Sequence, residues 1–211
     1  MADLSYRRLC YCPAAPSYAA QAVNLLGNIA PATQRFIYGS EAQRVGYMKV
    51  AFCQDLGYFG HSRHRLLLLD NRCIGIVASC ENREHWRLDI ETLGAMFRFY
   101  RLPYALKSIY RLIASASGSC KPSRGAYFIY NFAIDRLFSC QGFGTQLLHK
   151  EIARAQKQGY CSIELDVALN NPRAIVFYQR NGFKISQRLN NRTCVDEFHF
   201  ERLLRMKLDL K

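Results

Sequence analysis

The chain has 211 residues, half of them hydrophobic, and its 29 lysines and arginines outnumber 16 aspartates and glutamates to give a formal net charge of +13. That is material for one substantial core, so a single domain over 1–211 is expected. The composition excludes a disulfide scaffold, because nine cysteines at irregular spacing sit in a long, apolar-rich chain. It also excludes a spanning helix, since no apolar run exceeds strand size.

A positive field of this size favours polyanionic partners: nucleic acid, an anionic membrane or a phosphorylated cofactor. The cations are spread along the chain, so a basic, soluble surface explains them as well. No membrane partner is expected, nucleic acid is disfavoured, and reduced thiols without a signal peptide predict a cytoplasmic location. The oligomeric state stays open. Five scattered histidines give no metal spacing, so no metal site is expected.

Residues Tyr6 to Cys12 read as a first strand, stopped by Pro13 and Pro16. Ser17 is placed to cap a helix from Tyr18 to Asn28, whose apolar face is Ala19, Ala22, Val23, Leu26 and Ile29. Pro31 to Gly39 reads as a loop or short turn. Ser40 is placed to cap a second helix, from Glu41 to about Leu56. Arg65–Leu69 and Cys73–Ala78 are apolar runs joined by Asp70-Asn71-Arg72, a hairpin whose continuity suggests strands buried on both faces.

Glu81 to Arg87 reads as polar loop. Ile90–Arg101 and Tyr104–Ala116 read as helices broken at Pro103, a helical insertion around residues 88–117. Its aromatics Phe97, Phe99, Tyr100, Tyr104 and Tyr110 alternate with Arg98, Arg101, Lys107 and Arg111. Such interleaving suits single-stranded nucleic acid, but helical recurrence of the aromatics favours an amphipathic helix pair with its aromatics packed on the sheet and its cations facing water. A third reading sets this insertion beside an acceptor site. Ser115 to Arg124 is a linker within one sheet.

Tyr127 to Ile134 is an apolar strand-like run. Gln141-Gly142-Phe143-Gly144-Thr145-Gln146 follows, then a helical segment with Leu147, Leu148, Ile152 and Ala155 on one face. Glycines at a helix start allow a sharp turn and close ligand approach. The first helical amides lack internal partners, so the turn is a candidate phosphate site, with a tight turn holding no ligand as the alternative. Gly159 is placed to end that helix. Cys161 to Val167 alternates as a strand, parallel to the first by the length of the crossover. Asn171 and Pro172 mark a helix start; Gly182 ends that helix and Phe183-Lys184-Ile185 begins a strand. Arg188 to Asp196 reads as a turn, and Phe198 to Leu210 as a strand returning into the sheet.

This run resembles the Gcn5-related N-acetyltransferases. Their acyl-CoA signature is Arg/Gln-x-x-Gly-x-Gly/Ala, followed after a strand by Asn-x-x-Ala-x-x-x-Tyr-x-x-x-Gly-Phe. Gln141 and Gly144 match the first part, whose last position is Gln146 in place of a small residue. Asn171, Ala174, Tyr178, Gly182 and Phe183 match the second part in register. The signature covers about a third of the chain.

The resemblance implies a single-domain α/β fold, with a mixed central sheet and helices on both faces. It implies acetyl-CoA as cosubstrate, with the pyrophosphate at Gln141, Gly142, Phe143, Gly144, Thr145 and Gln146. Backbone groups near Phe132, Ala133 and Ile134 would align pantetheine and thioester, and Asn171, Ala174 and Tyr178 would border the cofactor. Tyr178 falls where the family places its thiolate-facing tyrosine; packing beside Phe177 is its other reading. Asp166, twelve residues earlier in Leu165-Asp166-Val167, resembles the Glu of Leu-Glu-Val in the ribosomal-protein N-terminal acetyltransferases and is the candidate base. Turn stabilisation before Asn171 is its alternative, and Glu164 and Asp135 are alternative bases.

Three functions fit: an N-acetyltransferase attacking acetyl-CoA directly in a ternary complex, an acyl-CoA-binding sensor without catalysis, or a basic nucleic-acid-binding protein. A Rossmann site fails for want of the third glycine and the early acidic residue. The amine acceptor is not specified by the motif.

Overall fold

The computed structural model describes residues 8–116, 121–189 and 194–210. Its centre is a mixed seven-stranded sheet of β1 (Leu9–Pro13), β2 (His64–Leu69), β3 (Arg72–Glu81), β4 (Ala126–Ile134), β5 (Ser162–Ala168), β6 (Lys184–Leu189) and β9 (Leu203–Asp209). A separate ribbon pairs β7 (Cys194–Val195) with β8 (Phe198–His199). The sheet order is β1-β2-β3-β4-β5-β9-β6. Among the described strands only β4 and β5 pair in parallel, and β9 inserts between β5 and β6.

Helices α1 (Ala19–Leu26), α2 (Pro31–Tyr38), α3 (Glu41–Cys53), α4 (His85–Phe99) and α5 (Leu102–Ala116) lie in the N-terminal half. Helices α6 (Phe143–Lys157) and α7 (Pro172–Arg180) follow β4 and β5. The four leucines of β2 explain why helices cover both faces. Leu66 and Leu68 enter the core beneath α1 to α5, while Leu67 and Leu69 enter the core beneath α6 and α7. A strand with no polar face needs apolar cover on both sides. The β2–β3 turn is Asp70-Asn71, both with positive φ (50° and 65°), the two-residue hairpin turn that matches strand twist.

Several boundaries differ from expectation, each for a local reason. Residues 31–38 are a helix, not a loop: Pro31 stands in its first turn and Gly39, at φ 94°, ends it. Its pattern was obscured by Gln34, a buried polar residue that donates to Leu26 O (3.0 Å) and accepts from Arg44 (2.7 Å). Ser17 caps nothing; it lies in a 3-10 turn, and α1 starts at Ala19 without a side-chain cap. Ser40 does cap α3, exchanging bonds with Gln43 in a capping box.

The chain turns into α4 at His85, so the expected loop at 81–87 is the end of β3, a 3-10 turn and the first residues of α4. Pro103 lies in the first turn of α5, where its missing N–H costs nothing, and the break falls at Tyr100 and Arg101. Of the expected turn from Arg188 to Asp196, Arg188 and Leu189 end β6, residues 190–193 lie outside the described residues, and Cys194–Val195 pair in the β7–β8 ribbon, whose Phe198 stacks on Phe36 at 4.4 Å. Residues 1–7, at the start of the expected first strand, and part of the 115–124 linker lie outside the described residues.

The aromatics of the insertion divide. Tyr100 is buried, while Phe99 and Tyr104 pack at the edge of the same core, on α2 and α3 rather than on the sheet. Phe97 and Tyr110 remain exposed. No helix among the described residues is long and apolar enough to cross a membrane.

Candidate active site

Strand β4 positions the site through a bulge. Ala78 pairs with Asn131 but Ser79 pairs with Ile129, so Tyr130 is an extra residue. Strict alternation would send Phe132 and Ile134 to the face of Phe128 and Tyr130. The bulge resets the alternation, and Phe132 and Ile134 join Tyr127 and Ile129 on the α6–α7 side. Asn131 turns the other way, its Nδ2 3.3 Å from His64 Nε2.

The same bend opens the sheet. Pairing of β4 with β5 stops at Ile129↔Leu165, although β4 continues to Ile134 and β5 to Ala168. The strands part, leaving a cleft of about 790 Å³. Asp135 N donates to Ile74 O at 2.8 Å, which fixes the phase of the β3–β4 ladder. By alternation, the amides of Phe132 and Ile134 face the cleft.

Helix α6 supplies the next wall. Cys140 (φ 61°) and Gly142 (φ 83°) both adopt left-handed backbone at the entry to the helix. The first helical bond runs from Gln146 N to Gly142 O (3.0 Å). The amides of Phe143, Gly144 and Thr145 thus have no acceptor among the described residues. A Cβ on Gly144 would stand 3.5 Å from the Phe177 ring and 3.6 Å from Ile134, so this residue lies where the cleft is narrow. Three open amides at the positive end of a 15-residue helix form an anion site.

The far wall is α7. Asn171 Oδ1 caps it by accepting from Ala174 N (3.1 Å), with Pro172 in the first turn. Tyr178 is buried among Phe132, Phe177 and Phe183, with ring centroids 5.1–6.1 Å away. Its hydroxyl bonds to no described residue, and the residue lines the cleft. Burial raises its pKa, which keeps the phenol protonated.

Of the expected cofactor residues, Phe132, Ala133, Ile134, Gly142, Gly144, Thr145, Asn171, Ala174 and Tyr178 line this one cleft. Three do not. Gln141 donates its side-chain amide to Leu137 O (3.1 Å), Phe143 is buried against Phe138, and Gln146 is exposed outside the cleft. Gln146 therefore does not fill the space that a small residue leaves open. Sequence reasoning missed Cys140, Arg173 and Arg180, which also line the cleft. A cation two residues after the N-capping Asn171 was the available signal for Arg173; nothing local marked Arg180.

Sequence comparison places the chain in a family. Residues 36–183 match the model of the Acetyltransferase (GNAT) family. The chain belongs to the GNAT acetyltransferase family. It is similar to an uncharacterized N-acetyltransferase of Methanocaldococcus jannaschii, 41% identical over 56 residues, a segment spanning 26% of this chain and 25% of that relative. The fold is shared with an N-acetyltransferase from Staphylococcus aureus Mu50 (TM-score 0.73, 12% identity, covering 94% of this chain and 100% of the other). It is also shared with a Bacillus subtilis acetyltransferase solved in complex with CoA (TM-score 0.53, 14% identity, 98% and 100% covered).

On the opposite face of this GNAT sheet, Asp166 stands one residue beyond the last β4–β5 pair. It does not line the cleft. Its cross-strand partner is Arg205 of β9, whose Nε and Nη2 grip both carboxylate oxygens, the latter at 3.0 Å. Arg205 Nη1 also reaches Glu164 at 3.1 Å. Burial raises the Asp166 pKa, and Arg205 only partly offsets it. Burial acts on Glu164 too, but hydrogen bonds from Ser123 and the charge of Arg205 outweigh it and hold that carboxyl below its usual range. Asp135 is committed elsewhere, accepting from Leu137 N (3.0 Å) and Arg72 (2.9 Å). Among the described residues, no group of three or more His, Cys, Asp or Glu is placed to hold a metal.

Proposed function

We propose that this acetyltransferase passes the acetyl group of acetyl-CoA directly to an amine, with both substrates bound together. The observation that carries the reading is the coincidence of two sets of open backbone donors on one cleft. The α6 amides of residues 143–145 suit a pyrophosphate, and the β4 amides of Phe132 and Ile134 suit a pantetheine chain and thioester carbonyl. Arg173 and Arg180 at the rim add charge for the phosphates. Acetyl-CoA supplies the activated acetyl group. The Tyr178 hydroxyl, protonated and without a partner among the described residues, is the donor for the departing thiolate. Asp166, held in orientation by Arg205, is the acceptor for the amine proton.

The CoA-sensor reading keeps one specific support: both oxygens of Asp166 are already engaged by Arg205. Thermal unfolding with excess acetyl-CoA tests the site, because a ligand of the folded state raises its midpoint. Thiol release across a panel of amines then separates enzyme from sensor. A thermal shift with no release for any amine leaves the sensor; no shift at all removes the cleft assignment.

A further inference from the structure

Helices α4 and α5 each carry two apolar faces. On α4, Leu88, Ala95 and Met96 are buried in the fold, while Trp86, Ile90 and Phe97 form a second stripe 48–65% exposed. On α5, Ala105 faces the interior, and Leu102, Leu106, Tyr110 and Ile113 recur at helical spacing with 53–62% exposure. Only Tyr100 and Arg101 separate the helices, which pack on α3 and α2 and on each other. Isolated exposed apolar side chains are ordinary; seven large ones on one helix pair are an interaction surface.

The charges choose the partner. From His85 to Ala116 there are five cationic side chains against two acidic ones. Arg98, Arg101 and Lys107 are exposed and join no ion pair among the described residues. A second copy would bring the same cations and another net +13 against this one. An anionic surface with an apolar layer beneath it satisfies both features. Apolar stripes with flanking Lys and Arg, and Trp and Tyr where polarity changes, have the composition of helices lying in a membrane interface. Each helix has 15 residues, about 22 Å, too short to cross a hydrocarbon core of about 30 Å.

We propose that the exposed face of α4–α5 docks the protein on an anionic lipid surface, with the helices lying in its plane. The expectation of no membrane partner rests on the spread of cations along the chain and on the lack of a spanning run; surface docking needs no spanning run, and Arg98, Arg101 and Lys107 lie on or between the two helices that carry the apolar stripes.

Trp86 is the sole tryptophan and stands on the stripe, 65% exposed. Its emission is the readout. Vesicles of phosphatidylglycerol in phosphatidylcholine should shift it to the blue and carry the protein through flotation; phosphatidylcholine alone should do neither. Salt should weaken binding as the Debye length falls from about 10 Å at 0.1 M to about 3 Å at 1 M. Leu106→Glu with Ile113→Glu should lower vesicle affinity about tenfold or more, with the unfolding midpoint retained because both positions are exposed. Arg98→Glu with Lys107→Glu should weaken it through charge alone. No blue shift with anionic vesicles at low salt overturns the proposal. So does a shift on concentrating the protein alone, with a dimer in sedimentation, which assigns the face to a second copy.

Discussion

Tyr178 combines a ring fixed by three aromatic neighbours with a hydroxyl that bonds to no described residue. Removing only the oxygen leaves the packing in place. Tyr178→Phe is therefore expected to bind acetyl-CoA normally and to lose about 10²–10⁴-fold in kcat, the range of general acid–base catalysis. Wild-type turnover in that variant would return Tyr178 to a packing role. Asp166 accepts a proton only when ionised, and burial raises its pKa. The acidic limb of the wild-type pH–rate profile should then lie above the ordinary carboxylate range. Asp166→Asn should abolish that limb, with high pH partly restoring turnover as the amine deprotonates itself. A limb unchanged in the variant assigns it to another group.

At the scale of elements, the first turn of α6 and the β5–β9 ladder set the two sides of the site. Gly144→Trp places an indole against Phe177 and Ile134 and across the open amides. The expected result is a folded protein whose unfolding midpoint no longer responds to acetyl-CoA; a retained response moves the anion site elsewhere. In the ladder, Arg205 joins Asp166 and Glu164, with Arg205 and Glu164 both almost fully buried. Arg205→Met leaves those carboxylates without their guanidinium. Loss of one partner from a buried ion pair costs about 3–5 kcal/mol, measurable as a fall in the urea midpoint. A loss under about 1 kcal/mol would show that water replaces the pair, as at exposed bridges.

For the molecule as a whole, His64 sets a pH limit. It is wholly buried between Phe52 and Tyr130, with Nδ1 2.8 Å from Gly60 O. Burial lowers its pKa to about 4, and the Gly60 bond and the Asp55 charge offset only part of this. The unfolded chain takes up that proton near pH 6.5 and the native one does not. The contribution is thus fully present above about pH 6.5 and is lost as the pH falls towards 4, with a ceiling on the order of 3 kcal/mol. Glu164, with its depressed pKa, adds loss in the same direction at lower pH. Between about pH 7 and pH 4.5, the urea midpoint of His64→Gln should fall less steeply than that of the wild type. Parallel slopes would remove His64 as the cause.

Elements whose signals are local are legible in the chain. The run from β4 through α6 and β5 to α7 was readable because glycine turns, caps and apolar periods act over three or four residues. Asn171, Pro172 and Gly142 stand where those rules require them. The β2–β3 hairpin was readable for the same reason. What lay between distant segments was not. Helix α2 stayed hidden because its buried Gln34 gains its partners, Leu26 and Arg44, only after α1 and α3 pack around it. The bulge at Tyr130 has no residue signature, yet it turns Phe132 and Ile134 to the cleft and parts β4 from β5. Arg205 meets Asp166 across 39 residues because β9 inserts beside β5, a choice made by pairing register. Local spacing fixes which residues share a turn or a face; only the closed sheet decides which faces and which charges meet.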